Sequence, residues 1–214
     1  GHGLRIAVID PQTETAIANP GFDGREIALT QRSVDILLKL DLWRRFSPND
    51  LSPLRHARVI NGQSPHSMLI SQQLSRNDEL GWLISNHFIR RAAYEAVVDA
   101  CDVTLLFNDT VSDASSTALS AQVQLSSGNI LHSQLLVARF SSTRRAFGIA
   151  ADMHDFGRSM LVCCMHITQA HHNTAWEWFD YGQTLAMLPM NPDPLSGQLR
   201  ASIVVTLTSQ ATQD

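Results

Sequence analysis

The chain has 214 residues, 44% of them hydrophobic, and a formal net charge of -4. That is enough apolar material for one large domain or two small ones, and its basic residues form no stripe that would favour nucleic acid. No apolar run reaches the length of a bilayer span, Gly1–Arg5 lack the features of a signal peptide, and Cys101, Cys163 and Cys164 make no disulfide framework, as expected in a reducing cytoplasm.

Arg5-Ile6-Ala7-Val8-Ile9-Asp10 is a short apolar run stopped by Pro11 and predicts a buried strand of a parallel sheet. Thr13 to Gly24 contains Asn19-Pro20-Gly21 and Asp23-Gly24 and is predicted to be a loop. Thr30 can cap a helix with Val34, Leu37 and Leu38 as its buried stripe, ending before Pro48. Residues 55–82 suggest strands around the turn Asn61-Gly62. The spacing of Ile89, Ala92, Ala93, Ala96, Val97 and Ala100 predicts a helix with one apolar face, capped by Ser85 or Asn86, with Arg91 and Glu95 paired on its wet side. Val103 to Phe107 then reads as a buried strand.

Ala121, Val123 and Leu125 alternate with Gln122 and Gln124 before the turn Ser126-Ser127-Gly128-Asn129, and Ile130 to Val137 returns as the second arm of a hairpin. After an Arg-rich link come four strand candidates: Met160 to Ile167, Ala175 to Phe179, Thr184 to Met190 and Ala201 to Leu207. Consecutive strands joined by short turns argue for an antiparallel sheet. The expected class is α/β, a Rossmann-like half with parallel strands followed by an antiparallel β-sheet, with a boundary near residue 150.

Asp10 ends the first strand, where a dinucleotide-binding unit places an acid on the adenosine ribose; a plain turn carboxylate is the simpler alternative. Gly1-His2-Gly3 is a G-x-G by letters only, since it sits directly before the strand and lacks the third glycine. His154, Cys163, Cys164, His166, His171 and His172 are close in sequence, and Cys164 and His166 share a strand face. There is no C-x-x-C or H-x-x-x-H pair, however, and core or hairpin roles are the better reading. Trp176, Trp178 and Phe179 can line a pocket or simply pack.

"GLRIAVIDPQ", "REIALTQRSVDILLKLDLW", "GWLISNHFIRRAAYEAV", "DFGRSMLVCCMH" and "WEWFDYGQTLAMLPMN" resemble, in this order, segments of the FAD-dependent ubiquinone-biosynthesis hydroxylases, within the group A flavoprotein aromatic monooxygenases. The resemblance covers nearly the whole chain. It implies that Asp10 holds the adenosine ribose, Arg25 contacts the flavin, Asn86 lies near the ribityl chain and Val111 near the adenine. For Arg25 the alternative is a solvated loop charge, and for Asn86 a helix cap. Residues 1–150 would be part of the FAD-binding region, with the strands near 55–82 inserted, and 151–214 part of the substrate-binding sheet.

The resemblance further implies hydroxylation of a polyprenyl-phenol or quinol, with FAD as cofactor and NAD(P)H and O2 as co-substrates. The prenyl tail implies contact with a membrane surface or a ubiquinone-pathway complex, in a cytoplasmic protein at most peripheral to the inner membrane. The family's phosphate-binding glycine loop and its third flavin motif are not found in this sequence. Its second motif is shortened where Leu135-Leu136-Val137-Ala138 runs straight into Arg139-Phe140-Ser141-Ser142-Thr143-Arg144-Arg145. The alternative function is therefore a non-catalytic fragment or degraded relative without stable FAD binding.

Overall fold

The computed structural model describes residues 3–74, 77–137, 152, 154–180 and 182–209. β1 (Ile6–Asp10) and α1 (Glu14–Ala18) are followed by β2 (Glu26–Thr30), α2 (Gln31–Lys39), β3 (Ser52–Leu54), β4 (His56–Asn61), β5 (Ser67–Ser71), β6 (Gly81–Ser85) and α3 (Asn86–Val98). β7 (Val103–Phe107), β8 (Val111–Ser116), β9 (Ala121–Leu125) and β10 (Ile130–Ser133) come next. β11 (Arg158–His166), β12 (Thr174–Asp180), β13 (Gln183–Met190) and β14 (Arg200–Thr208) close the order. The α/β class expected from the sequence is what the chain adopts.

Two compact units result: Gly1–Asn19 with Val97–His154, and Pro20–Ala96 with Asp155–Asp214. In the first, β1 pairs in parallel with β7, as its apolar run predicts. It is not the buried strand expected, because Ile6 and Val8 are 48% and 41% exposed, and β7 is its one partner among the described residues. β8, β9 and β10 form an antiparallel sheet. On β9, Ala121, Val123 and Leu125 are buried while Gln122 and Gln124 face water, so the hairpin follows its alternation. Its return arm stops at Ser133, short of Val137.

The second unit holds two sheets. β6 lies between β2 and β3, antiparallel to both, and its Leu83 and Ile84 are fully buried. α2, α3, β2 and the segment 43–51 supply the rest of this core: Ile84, Phe46 and Ala92 pack with Leu29, Leu37, Trp43, Leu51, Phe88 and Ile89. The other sheet has the order β11-β14-β13-β12-β4-β5. Its four C-terminal strands match the predicted ones and are antiparallel. The sheet as a whole is mixed, because β4 joins β12 in parallel. Strands from the 55–82 stretch thus share a sheet with those of 151–214.

Four local expectations need correction. The stretch from Thr13 is not all loop: the Thr13 hydroxyl accepts the Ala16 N–H, and this cap starts α1. Thr30 caps α2 as predicted and Val34 is buried, but Leu38 is 55% exposed, so the stripe is Val34 and Leu37. α3 ends at Val98, which leaves Ala100 in the turn beyond it. Neither Ser85 nor Asn86 spends its side chain on capping α3. The Ser85 hydroxyl donates to the Glu26 carboxylate, and the Asn86 amide donates to Asp23. The predicted Arg91–Glu95 pair is present at 3.8 Å.

Candidate functional site

In the first unit, Asp10 stands at the carboxyl end of β1. That end of parallel strands is where α/β sheets receive ligands. Its Oδ1 accepts the Gln12 N–H at 2.8 Å, and Oδ2 has no partner among the described residues. The Asp10 carbonyl accepts from Asp109 N, and the Gln12 carbonyl from Asn108 N, lacing the ends of β1 and β7 together. Asn108 makes this possible by taking the left-handed conformation, φ 56°. Val111 opens β8 two residues beyond Asp109, opposite Leu125 and beside a register irregularity.

Asp109, missed by sequence reading, anchors this corner. Its carboxylate accepts from Ser126 Oγ (2.6 Å), Ser127 Oγ (2.5 Å), Thr110 N (2.9 Å) and Ser127 N (3.2 Å). The Ser126 and Ser127 hydroxyls lead in holding its carboxyl at about 2. The signal was the turn Ser126-Ser127, whose hydroxyls have an acid to serve.

In the second unit, Arg25 and Asn86 meet on one carboxylate that the sequence reading also passed over. Asp23 Oδ2 accepts Arg25 Nε at 3.0 Å, Arg25 Nη2 at 2.5 Å and the Asn86 amide at 2.7 Å. The hydrogen bond from Arg25 is the largest cause holding the Asp23 carboxyl at about 2; partial burial opposes it, and Asn86 adds to it. Asn86 N in turn donates to the Arg25 carbonyl. The Arg25 side chain is 57% exposed, and its Nη1 has no partner among the described residues.

Glu26 follows Arg25 into the sheet; burial pushes its carboxyl up, against the hydrogen bond from Ser85. Beyond Asn86, the His87 ring lies tilted at 40° against Phe88, with ring centres 3.9 Å apart, and meets Phe22 edge-on at 5.4 Å. Burial, then the charge of Arg91, lowers the pKa of His87.

On β12, Trp176 and Trp178 share one face and Phe179 takes the other. All three are partly exposed, and Trp178 Nε1 donates to the Gly62 carbonyl at 2.9 Å. Among the described residues, no group of three or more His, Cys, Asp or Glu is placed to hold a metal. The shortened motif of residues 135–145 lies outside the described residues from 138 onward.

Known proteins put this arrangement in context. Over 197 residues the chain is 44% identical to ubiquinone hydroxylase UbiM of Neisseria meningitidis, covering 89% of this chain and 43% of that protein. Over 191 residues it is 25% identical to ubiquinone hydroxylase UbiL of Rhodospirillum rubrum, covering 88% and 44%. By sequence, the chain is a relative of the ubiquinone hydroxylases. It spans less than half the length of either of these two hydroxylases. Their relative also shares a fold with PqsL, a probable FAD-dependent monooxygenase from Pseudomonas aeruginosa. The TM-score is 0.76 at 15% identity, over 98% of this chain and 55% of that one. No protein-family model matches the chain.

Proposed function

We propose that this chain supplies the adenosine- and flavin-contacting residues and the substrate sheet of an FAD-dependent monooxygenase. Its substrate would be a polyprenyl-phenol or quinol of ubiquinone biosynthesis, with NAD(P)H and O2 as co-substrates. The observation that carries this reading is the 44% identity to a ubiquinone hydroxylase over most of the chain. Residues 1–150 then serve the flavin side, apart from β4 and β5, which join the strands of 151–214 on the substrate side. The prenyl tail calls for contact with a membrane surface or a pathway complex, in a cytoplasmic protein peripheral to the inner membrane. No helix among the described residues is long and apolar enough to cross a membrane.

The donor and acceptor set fits the cofactor residue by residue. Asp10 has one carboxylate oxygen free to accept ribose hydroxyls, and Val111 offers an apolar surface to the adenine. Arg25 keeps free donors beyond those it gives to Asp23, and Asn86 is held beside it to bond the ribityl chain. Bound FAD would supply the activation of oxygen. The protein's own share is to orient the ring and exclude water, with Asp23 fixing the direction of Arg25 and Asn86.

The test is FAD uptake by the 214-residue chain, followed by absorbance and flavin fluorescence. Asp10→Ala is expected to weaken binding roughly tenfold, the size of losing one hydrogen bond to a charged acceptor. A chain that stays colourless after incubation with excess FAD is the non-catalytic relative instead. Hydroxylation of a polyprenyl-phenol by the full gene product, with NADH or NADPH, tests substrate and reductant.

A further inference from the structure

β4 and β12 run side by side with Thr174 opposite His56 and Trp176 opposite Arg58, so these four residues share a face of the sheet. Leu69 stands opposite Arg58 on the other side. With the turn at 170–172 they line an open cleft of about 360 Å³, within the size range of small-molecule sites. Its walls carry one guanidinium and three imidazoles and no carboxylate.

The Arg58 charge is held but not neutralised. Among the described residues, Arg58 makes one hydrogen bond, Nη1 to Ser67 Oγ at 3.3 Å, and lies over the Trp176 ring at 5.0 Å. Its buried Nε has no acceptor, and neither has the buried Nδ1 of His56 a partner. Both atoms are closed off from solvent and leaving such groups unpaired is unfavourable, so a side-chain turn that lets them meet an acceptor in the cavity is favoured.

His171 is differently placed. Its Nδ1 accepts the Asn173 N–H at 3.0 Å, which leaves Nε2–H to donate to the Met190 carbonyl at 3.0 Å. It is a fixed wall. The left-handed His172 and Asn173, φ 49° and 56°, bring this turn back to β4, where the Asn173 carbonyl accepts from Arg55 N and His56 N. The turn is therefore tied to the strand that carries the unpaired groups.

We propose that this cavity binds a small organic oxyanion, its acid group on Arg58 and His56 and its apolar part against Leu69. A small turn of the Arg58 side chain would present its fork to two ligand oxygens, the geometry that guanidinium groups use for phosphate and carboxylate. The site requires no flavin and stands whether or not the chain binds one.

The 214-residue chain would be titrated with phenyl phosphate and with benzoate at constant ionic strength, read by calorimetry and tryptophan fluorescence. Saturable binding of at least one is expected, and the tighter of the two tells a phosphate ligand from a carboxylate one. Arg58→Gln should weaken that binding by roughly tenfold and Arg58→Lys by less, because lysine keeps the charge but not the fork. If Arg58→Gln loses its circular dichroism spectrum, His56→Gln carries the same comparison. No saturable binding of either probe by the unaltered chain, or unchanged affinity in the folded variant, overturns the proposal.

Discussion

The Asn86 side-chain amide donates to Asp23 Oδ2 at 2.7 Å, tying the first residue of α3 to a turn 63 residues earlier. The same oxygen receives Arg25. Two residues assigned to the flavin by family resemblance are thus held in place by a third that the resemblance did not mark. An arginine left loose at the surface would have its side-chain freedom to lose on meeting a ligand; here Asp23 has already restrained it.

Asp23 should therefore show its role in acid. Its carboxyl sits at about 2 in the folded chain, against an ordinary value of 3.8, because of Arg25 first and Asn86 after it. A folded value below the unfolded one means that the charged form favours folding. The contribution is complete above about pH 4 and fades as pH falls toward 2. Asp23→Asn should lower the urea midpoint at pH 7 by an amount equivalent to about 1 kcal/mol or less, as for an exposed pair. The gap to the parent should close by about pH 2. Asp109 titrates in the same direction but is present in both proteins, so it cancels. A gap that persists unchanged in acid would show that Asp23 matters through packing.

Gly81 is expected to resist substitution. It opens β6, which has β2 on one side and β3 on the other, and pairs with Thr30 and with Leu54. A Cβ there would fall onto the Leu29 carbonyl oxygen, 3.2 Å from the Leu29 carbonyl carbon and 3.4 Å from Thr30 Cα. These are backbone atoms and cannot swing aside. Gly81→Ala should destabilise by about 1–3 kcal/mol, the usual range for forced overpacking. Urea denaturation measures it, and an unchanged midpoint would mean that β2 and β6 can separate freely at this end.

What could be read from the sequence depended on period and on separation along the chain. β9, β11, β13 and β14 announced themselves through runs of apolar residues at strand spacing, and α2 through Thr30. β3 did not: Ser52-Pro53-Leu54 carries a proline and is three residues long, and it is a strand because β6 lies beside it. β2 did not either: it fills the gap between the predicted loop and the helix capped by Thr30, and its partner β6 lies far along the chain. At the site, Asp10 could be named because it ends an apolar run. Asp23 could not, since Asp23-Gly24 reads as a turn and its partner Asn86 is distant. Arg58 and Trp176 likewise sit on strands whose pairing no local pattern reveals.

The core beneath the candidate site should be costly to hollow. Ile84 is fully buried and packs with Phe46 and Ala92, on the strand that leads directly into Ser85 and Asn86. Ile84→Ala removes three carbons from a space that the sheet and α3 cannot easily collapse to fill. A loss of about 2–5 kcal/mol is expected. Read by thermal or urea unfolding, a loss below about 1 kcal/mol would place Ile84 outside a close-packed core. Because β6 positions Asn86, any FAD uptake should weaken with it.

Ser202 should behave in the opposite way. It lies on β14 between Cys164 of β11 and Leu188 of β13. It is 0% exposed, and its hydroxyl has no hydrogen-bond partner among the described residues. Folding strips this group of water and returns nothing for it, a cost of about 1–3 kcal/mol for an unsatisfied buried polar atom. Ser202→Ala deletes the hydroxyl and leaves a void smaller than a methyl group. The expected result is a rise in stability of about 1 kcal/mol, seen as a higher urea midpoint with an unchanged slope. A fall of similar size would show that the hydroxyl is satisfied in solution, by a buried water or by the neighbouring strand.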